Sequence, residues 1–230
     1  MDLQSLDVRR ITRDETKPFI LLVHYARRMP QTIYSFGLFE NNKLIGVCTF
    51  GYPATPAIQK SMQKVDDGVV LELNRLVINP DKNGNNYGSY FVSRCLKMLP
   101  EKTYVVSYAD SGWSHCGYIY QATNWLYTGK SEDLMIPFAN GKHFRHNKLK
   151  TDFKEINSGK YRYIYIVGNR KQKKEMIKNI NWKIIKEYPK IIERKYDTDN
   201  PKPFNDLLGK PLNEKGEVVT LNTSKNKPLF

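Results

Sequence analysis

Asp110, His115 and Tyr120 are the side chains of this 230-residue chain best suited to moving protons. Asp110 ends a strand-like run, residues 104–110 (YVVSYAD), and the chain breaks at Ser111-Gly112. An aromatic run, HCGYIYQATNWLY, follows and carries the other two. Ionisable groups are costly to bury without partners, so their clustering beside apolar runs suggests an active-site edge. A core strand whose Asp merely caps a turn is the plainer alternative. A second set lies in VVLELNRLVI, residues 69–78, where Glu72, Asn74 and Arg75 interrupt an apolar strand. Arg75 has the donors to hold a phosphate or a developing oxyanion, with Glu72 fixing its position. A cross-strand ion pair would explain the same two residues. Asn86 and Ser89 sit in a Gly/Asn-rich loop that opens a helix, where free backbone N–H groups bind anions well. Ser89 also suits an N-cap.

The elements that must position these groups follow from periodicity and turn chemistry. Residues 7–11 read as a strand and 18–28 as a helix carrying His24, Tyr25 and a basic Arg27-Arg28 end. Residues 34–39 and 43–50 form a hairpin about Asn41-Asn42. Residues 51–57 are a Pro-rich loop. A strand, a glycine-bearing loop, a helix capped by Ser89, a strand and the aromatic helix come next. Residues 135–150 are basic and turn-rich, 162–167 a strand and 171–180 a basic helix. Residues 1–195 are expected to form one catalytic α/β domain and 196–230 a polar tail, ordered only if it docks.

Forty per cent hydrophobic residues suffice for a core. No apolar stretch of about 18 residues suggests a membrane span, and the N-terminus lacks a signal-peptide core. Cys48, Cys95 and Cys116 form no CxxC pair and read as reduced thiols, which favours the cytoplasm. The net charge of +14 points to a polyanionic partner, nucleic acid first. Lys142, Arg145 and Lys148 are the expected DNA contacts. His143 and His146 have HxxH spacing without an evident third ligand, so a metal is not expected.

The element order resembles the GCN5-related N-acyltransferase fold, a mixed, mostly antiparallel sheet flanked by helices. The loop of those enzymes reads Q/R-x-x-G-x-G/A. Here NGNNYGS, residues 83–89, lacks the leading Gln or basic residue and shifts one Gly, which argues against ordinary coenzyme A binding. IYQATNW, residues 119–125, resembles the LYxxxGF end of that fold and puts Tyr120 where its general acid often lies. HYARRMP, ELNRLVINP, N-x-x-S at 86–89 and SYADSGWSHCGYIYQATNWLYTG resemble the Mom family of phage adenine-modifying proteins, over roughly residues 20 to 190.

That resemblance implies transfer of a carbamoylmethyl group to adenine N6 in double-stranded DNA, shielding phage DNA from restriction. A base must leave the stack for such chemistry. Tyr108, Trp113, Tyr118 and Trp125 are candidate walls for it, although each aromatic taken singly is more often core, and Tyr25 is a further candidate for binding substrate or donor. Asp110 and Asn74 would read the base edge or take its proton. Asp110 is the first candidate for the base, with His24 and His115 as alternatives. Tyr120 would protonate a leaving group. Acetyl-CoA suits the fold but carries no amide nitrogen. Glycyl-tRNA supplies two carbons and a nitrogen, which makes tRNA a second expected partner. An ordinary acetyl-CoA-dependent N-acetyltransferase and a non-catalytic nucleic-acid-binding protein are the rival readings.

Overall fold

The computed structural model describes residues 5–62, 68–82, 86–137, 153–190, 210–213, 215 and 217–220. A seven-stranded sheet runs β1-β2-β3-β4-β5-β9-β6. Its strands are β1 Leu6–Arg10, β2 Tyr34–Glu40, β3 Lys43–Gly51, β4 Val69–Ile78, β5 Thr103–Asp110, β6 Leu126–Lys130 and β9 Lys160–Val167. Among the described strands, only β4 and β5 pair in parallel. The expected mixed, mostly antiparallel sheet is therefore present. A separate pair joins β7 Leu134–Pro137 to β8 Lys154–Asn157.

One face of the sheet carries α3, Tyr87–Lys97. Its Tyr87, Phe91, Val92, Cys95 and Leu96 recur at helical spacing and pack on Phe36, Cys48, Leu71, Leu73 and Val105. Met176 of α5, Arg170–Ile177, packs on the other face with Val70, Tyr104, Val106 and Ile164. Ile20, Val47 and Val77 form a smaller cluster. The hairpin turn has positive φ at both Asn41 and Asn42, which asparagine tolerates.

β4 carries the irregularity that opens the sheet. Arg75 pairs with Thr49 and Leu73 with Phe50, so Asn74 is a bulged residue without a partner. A bulge bends and twists its strand. β4 and β5 stay laddered only through Val69–Glu72 and Thr103–Val106, and part beyond.

Several expectations need correction. The helix expected over 18–28 is α1, Arg13–Pro18, followed by a single π turn, Phe19–Val23. Thr12 and Glu15 form a capping box that starts α1 earlier. The chain turns extended at His24, with ψ 136°. The long aromatic helix is instead a 3-10 turn, Ser111–Trp113, a short α4, Tyr118–Ala122, and strand β6. Gly117 and Asn124, both at positive φ, bound α4. The run expected to be a Pro-rich loop ends in α2, Pro56–Lys60. Asn86, not Ser89, occupies the N-cap of α3, in the left-handed region. Ser89 stands within the first turn and donates to Asn86 O at 3.0 Å. Most of the expected tail lies outside the described residues, but Leu212 is buried and bridges Lys154 and Val218.

Candidate active site

Where β4 and β5 part, the first unladdered carbonyl is Leu73 O. Ser107 Oγ lies 2.9 Å from it and 2.7 Å from the Tyr120 hydroxyl. A carbonyl only accepts, so Ser107 donates to Leu73 and Tyr120 donates to Ser107. Burial, above all, pushes the Tyr120 phenol up to about 12, so it holds its proton at neutral pH. Tyr120 therefore stands at the apex of the split as an acid. Below it opens a cleft of about 530 Å³. Residues 73–78 of β4 form one wall, and Tyr108, Ala109 and residues 114–120 the other. Val23, His24 and Tyr25 close one end.

The loop bearing His24 and Tyr25 is clamped to the sheet by the bulge. Asn74 Nδ2 donates to Gln31 O at 2.9 Å, and Thr49 Oγ1 donates to Asn74 Oδ1 at 2.6 Å. Arg75 donates from Nε and Nη2 to Arg28 O, at 3.3 and 3.1 Å, and from Nη1 to Asn74 O at 2.6 Å. Gly51 allows the approach, since a Cβ there would stand 2.0 Å from Gln31 O. Asn74 and Arg75, expected to touch substrate, thus use these groups to hold the loop, although both also line the cleft. On the loop, His24 stacks on Tyr25 at 4.3 Å between centroids. Tyr25 in turn meets Trp113 at 4.9 Å and His115 at 5.7 Å. Residues from two distant segments thereby make one aromatic mouth.

His24 Nδ1 accepts from Ala26 N–H at 3.0 Å, which leaves its proton on Nε2. Burial, then the positive charge of Arg75 and His115, holds its pKa down to about 3. His24 is thus a neutral donor and a poor base. Unfolded, the imidazole titrates near 6.5. Between about pH 6.5 and 3 the unfolded chain takes up a proton that the folded chain refuses. This group's stability contribution is complete above about 6.5 and is lost as pH falls towards 3. A His24→Gln protein is expected to show a flatter decline of the urea midpoint from pH 7 to 4. An unchanged slope would refute this assignment.

His115 is held below its usual value by burial, and the Asp110 charge works in the opposite direction. It is therefore neutral at pH 7 and backed by a carboxylate. Asp110 itself is buried and accepts from Gly112 N at 3.0 Å and from Ser158 Oγ. Lys160 Nζ lies 3.5 Å from it. The turn-capping role is present, and Asp110 does not line the cleft. Glu72 is raised by burial and accepts from Ala54 N at 3.3 Å. Tyr108 is pushed up to about 12 by burial, with Glu72 adding to the effect. Trp125, proposed as a wall, is fully buried against Tyr120 and Tyr165. Tyr118 is exposed on the cleft. Asn86 and Ser89 lie at the start of α3 and not on the cleft lining. Lys142, Arg145, Lys148, His143 and His146 lie outside the described residues. Among the described residues, no three His, Cys, Asp or Glu side chains could share a metal. No described helix is long and apolar enough to cross a membrane.

Sequence reasoning passed over Ser107. A lone serine within an apolar strand, facing the same way as Val105 and Ala109, was its only signal. It also passed over Gly117, where a Cβ would stand 2.3 Å from the Tyr163 ring. Tyr163 donates to Cys116 O, which fixes the turn between His115 and Tyr120.

The Mom protein family model matches residues 5–136. Methylcarbamoylase mom of Escherichia phage Mu is 26% identical over 208 residues, 81% of this chain and 83% of that protein. Arabidopsis thaliana NAA60 in complex with a bisubstrate analogue superposes with a TM-score of 0.50 at 12% identity, covering 71% of this chain and 99% of that one. Its complex with acetyl-CoA gives a TM-score of 0.49 at 10% identity, over 70% and 99% of the two chains. The chain has the GCN5-related N-acyltransferase fold.

Proposed function

Because the chain belongs to the Mom protein family, we propose that it transfers an acyl-type group to adenine N6 in duplex DNA, yielding a carbamoylmethyl-type base that resists restriction nucleases. One observation carries this reading. The acid at the strand split, Tyr120, and the aromatic mouth of Tyr25 and Trp113 belong to one continuous site, with His24 and His115 beside them. A flipped purine needs flat walls and edge donors, and its N6 needs an acceptor for its proton. Tyr25, on the cleft and backed by Trp113 at 4.9 Å, gives one wall, and Tyr108 and Tyr118 line the same cleft. The Nε2–H of His24 is an edge donor. His115, neutral and supported by the Asp110 charge, takes the N6 proton. Tyr120 holds a proton at its hydroxyl for the departing group.

The residues fit an acyl-coenzyme A in two respects. The unladdered edge of β4, residues 74–78, suits an extended amide-bearing arm. The first N–H groups of α3 carry no side-chain cap and suit a phosphate. Such a donor would supply an activated carbonyl carbon. A glycyl ester on tRNA would supply the same carbon together with the nitrogen that the product requires, and the net charge of +14 suits either polyanion.

The test is expression in a bacterium, digestion of its DNA to nucleosides and mass spectrometry. A new adenosine species is expected. Unmodified DNA with coenzyme A bound to the purified protein would instead mark an ordinary N-acetyltransferase. Neither outcome would mark a non-catalytic nucleic-acid-binding protein.

A further inference from the structure

Leu22 is the most exposed large apolar side chain among the described residues, 73% accessible. Its neighbours Leu21 and Val23 are exposed as well, and the three form the outer edge of the π turn. π turns are rare and recur at functional sites. This one is anchored by its buried Ile20, ends at Val23 and leads directly into His24 and Tyr25 at the cleft. Arg27 and Arg28 follow, both exposed, Arg27 at a positive φ of 39°. The segment is held from below, through Arg28 O by Arg75 and through Gln31 O by Asn74. An apolar prow followed by two arginines is thus fixed beside a cleft of about 530 Å³.

We propose that Leu22, with Leu21 and Val23, is the wedge that enters the DNA stack as the target base leaves it, while Arg27 and Arg28 take the flanking phosphates. The proposal rests on the adenine reading above and names the residues that make the base accessible. A base drawn from a duplex leaves a gap, and apolar side chains fill or pry open such steps. Phosphates on both sides of the gap call for cations beside the apolar tip. A second copy of this chain is a poorer occupant. It would bring Arg27 and Arg28 of two strongly basic molecules together.

The experiment uses the full-length protein, the donor that supports wild-type activity and DNAs with one target adenine. That adenine is paired with thymine, opposite an abasic site, or in a single strand. Leu22→Gly is expected to lose at least about tenfold of its rate on the paired duplex and to stay within about twofold of wild type on the other two. Leu22→Phe is expected to retain duplex activity. A fluorescence rise from 2-aminopurine at the target position should accompany wild-type binding and fade in Leu22→Gly. Equal rates for Leu22→Gly and wild type on all three DNAs overturn the wedge and leave adenine modification standing. An equal loss on all three overturns it too. A homodimer that Leu22→Gly dissociates without slowing duplex modification assigns the patch to a second copy instead. Failure of the wild-type protein to modify any of these DNAs overturns the adenine reading and the wedge with it.

Discussion

A Tyr120→Phe protein is expected to fold normally and to lose about 10²- to 10⁴-fold of its modification rate, the range for a positioned acid or base. The ring keeps its packing on Trp125 and Tyr163, at 4.9 and 5.1 Å between centroids. Ser107 keeps Leu73 O as its acceptor, so no buried carbonyl is orphaned. The variant loses one hydrogen bond, on the order of 0.5–1.5 kcal/mol. What disappears is the cleft-lining hydroxyl that Ser107 ties to the strand split and that carries a proton at neutral pH. Because the phenol's pKa is pushed up to about 12, the wild-type profile should show no limb from Tyr120 in the neutral range. Rates of modified-adenosine formation at saturating donor, with a thermal melt alongside, decide the matter. A well-folded Phe variant at the wild-type rate would remove Tyr120 from the mechanism.

The parts of this fold that could be read from sequence are those governed by periodicity. β4, β5, the Asn41-Asn42 hairpin and the amphipathic face of α3 follow from patterns of two and of about 3.6. The bulge at Asn74 does not, since a polar residue in a strand looks the same whether bulged or laddered. The aromatic run misled for a related reason. Tyr, Trp and Ile fill both helix and strand positions, so only Gly117 and Asn124, the residues tolerant of positive φ, marked where α4 begins and stops.

The candidate site was legible in its members but not in their roles. His24, Tyr25, Trp113, His115 and Tyr120 converge as their unusual types suggested. The side chains of Asn74 and Arg75 looked equally suited to substrate. Their acceptors, Gln31 O and Arg28 O, lie 43 and 47 positions away and are backbone atoms, which carry no sequence signal. The order among candidate bases also needed three dimensions. Ala26 N occupies Nδ1 of His24, Asp110 is taken by Gly112 and Ser158, and His115 lies on the cleft.

Purified protein, duplex DNA and glycyl-tRNA are expected to yield modified adenine, and acetyl-CoA in place of the tRNA is expected to yield none. The proposed product decides between the donors. A carbamoylmethyl group has two carbons and an amide nitrogen, and acetate brings only the carbons. Attack of adenine N6 on the glycyl ester forms an amide and releases the tRNA 3′-hydroxyl. The free glycyl amine then attacks ring C6, closing a five-membered spiro ring. Cleavage of the original C6–N6 bond leaves C6–NH–CH2–CO–NH2, with every atom accounted for and no redox step. His115 can take the proton in the first attack, and Tyr120 can protonate the departing oxygen. The loop NGNNYGS points the same way, since it lacks the Gln or basic residue that usually opens a coenzyme A loop. The unladdered β4 edge alone would accept either donor. Glycine labelled with 15N, fed to cells making the protein, should place its nitrogen on the ring carbon of the modified base, because the original N6 ends as the terminal amide. Label arriving only from acetate, or full activity with acetyl-CoA after ribonuclease treatment, would sink the glycyl donor and return the β4 edge to an acyl-coenzyme A.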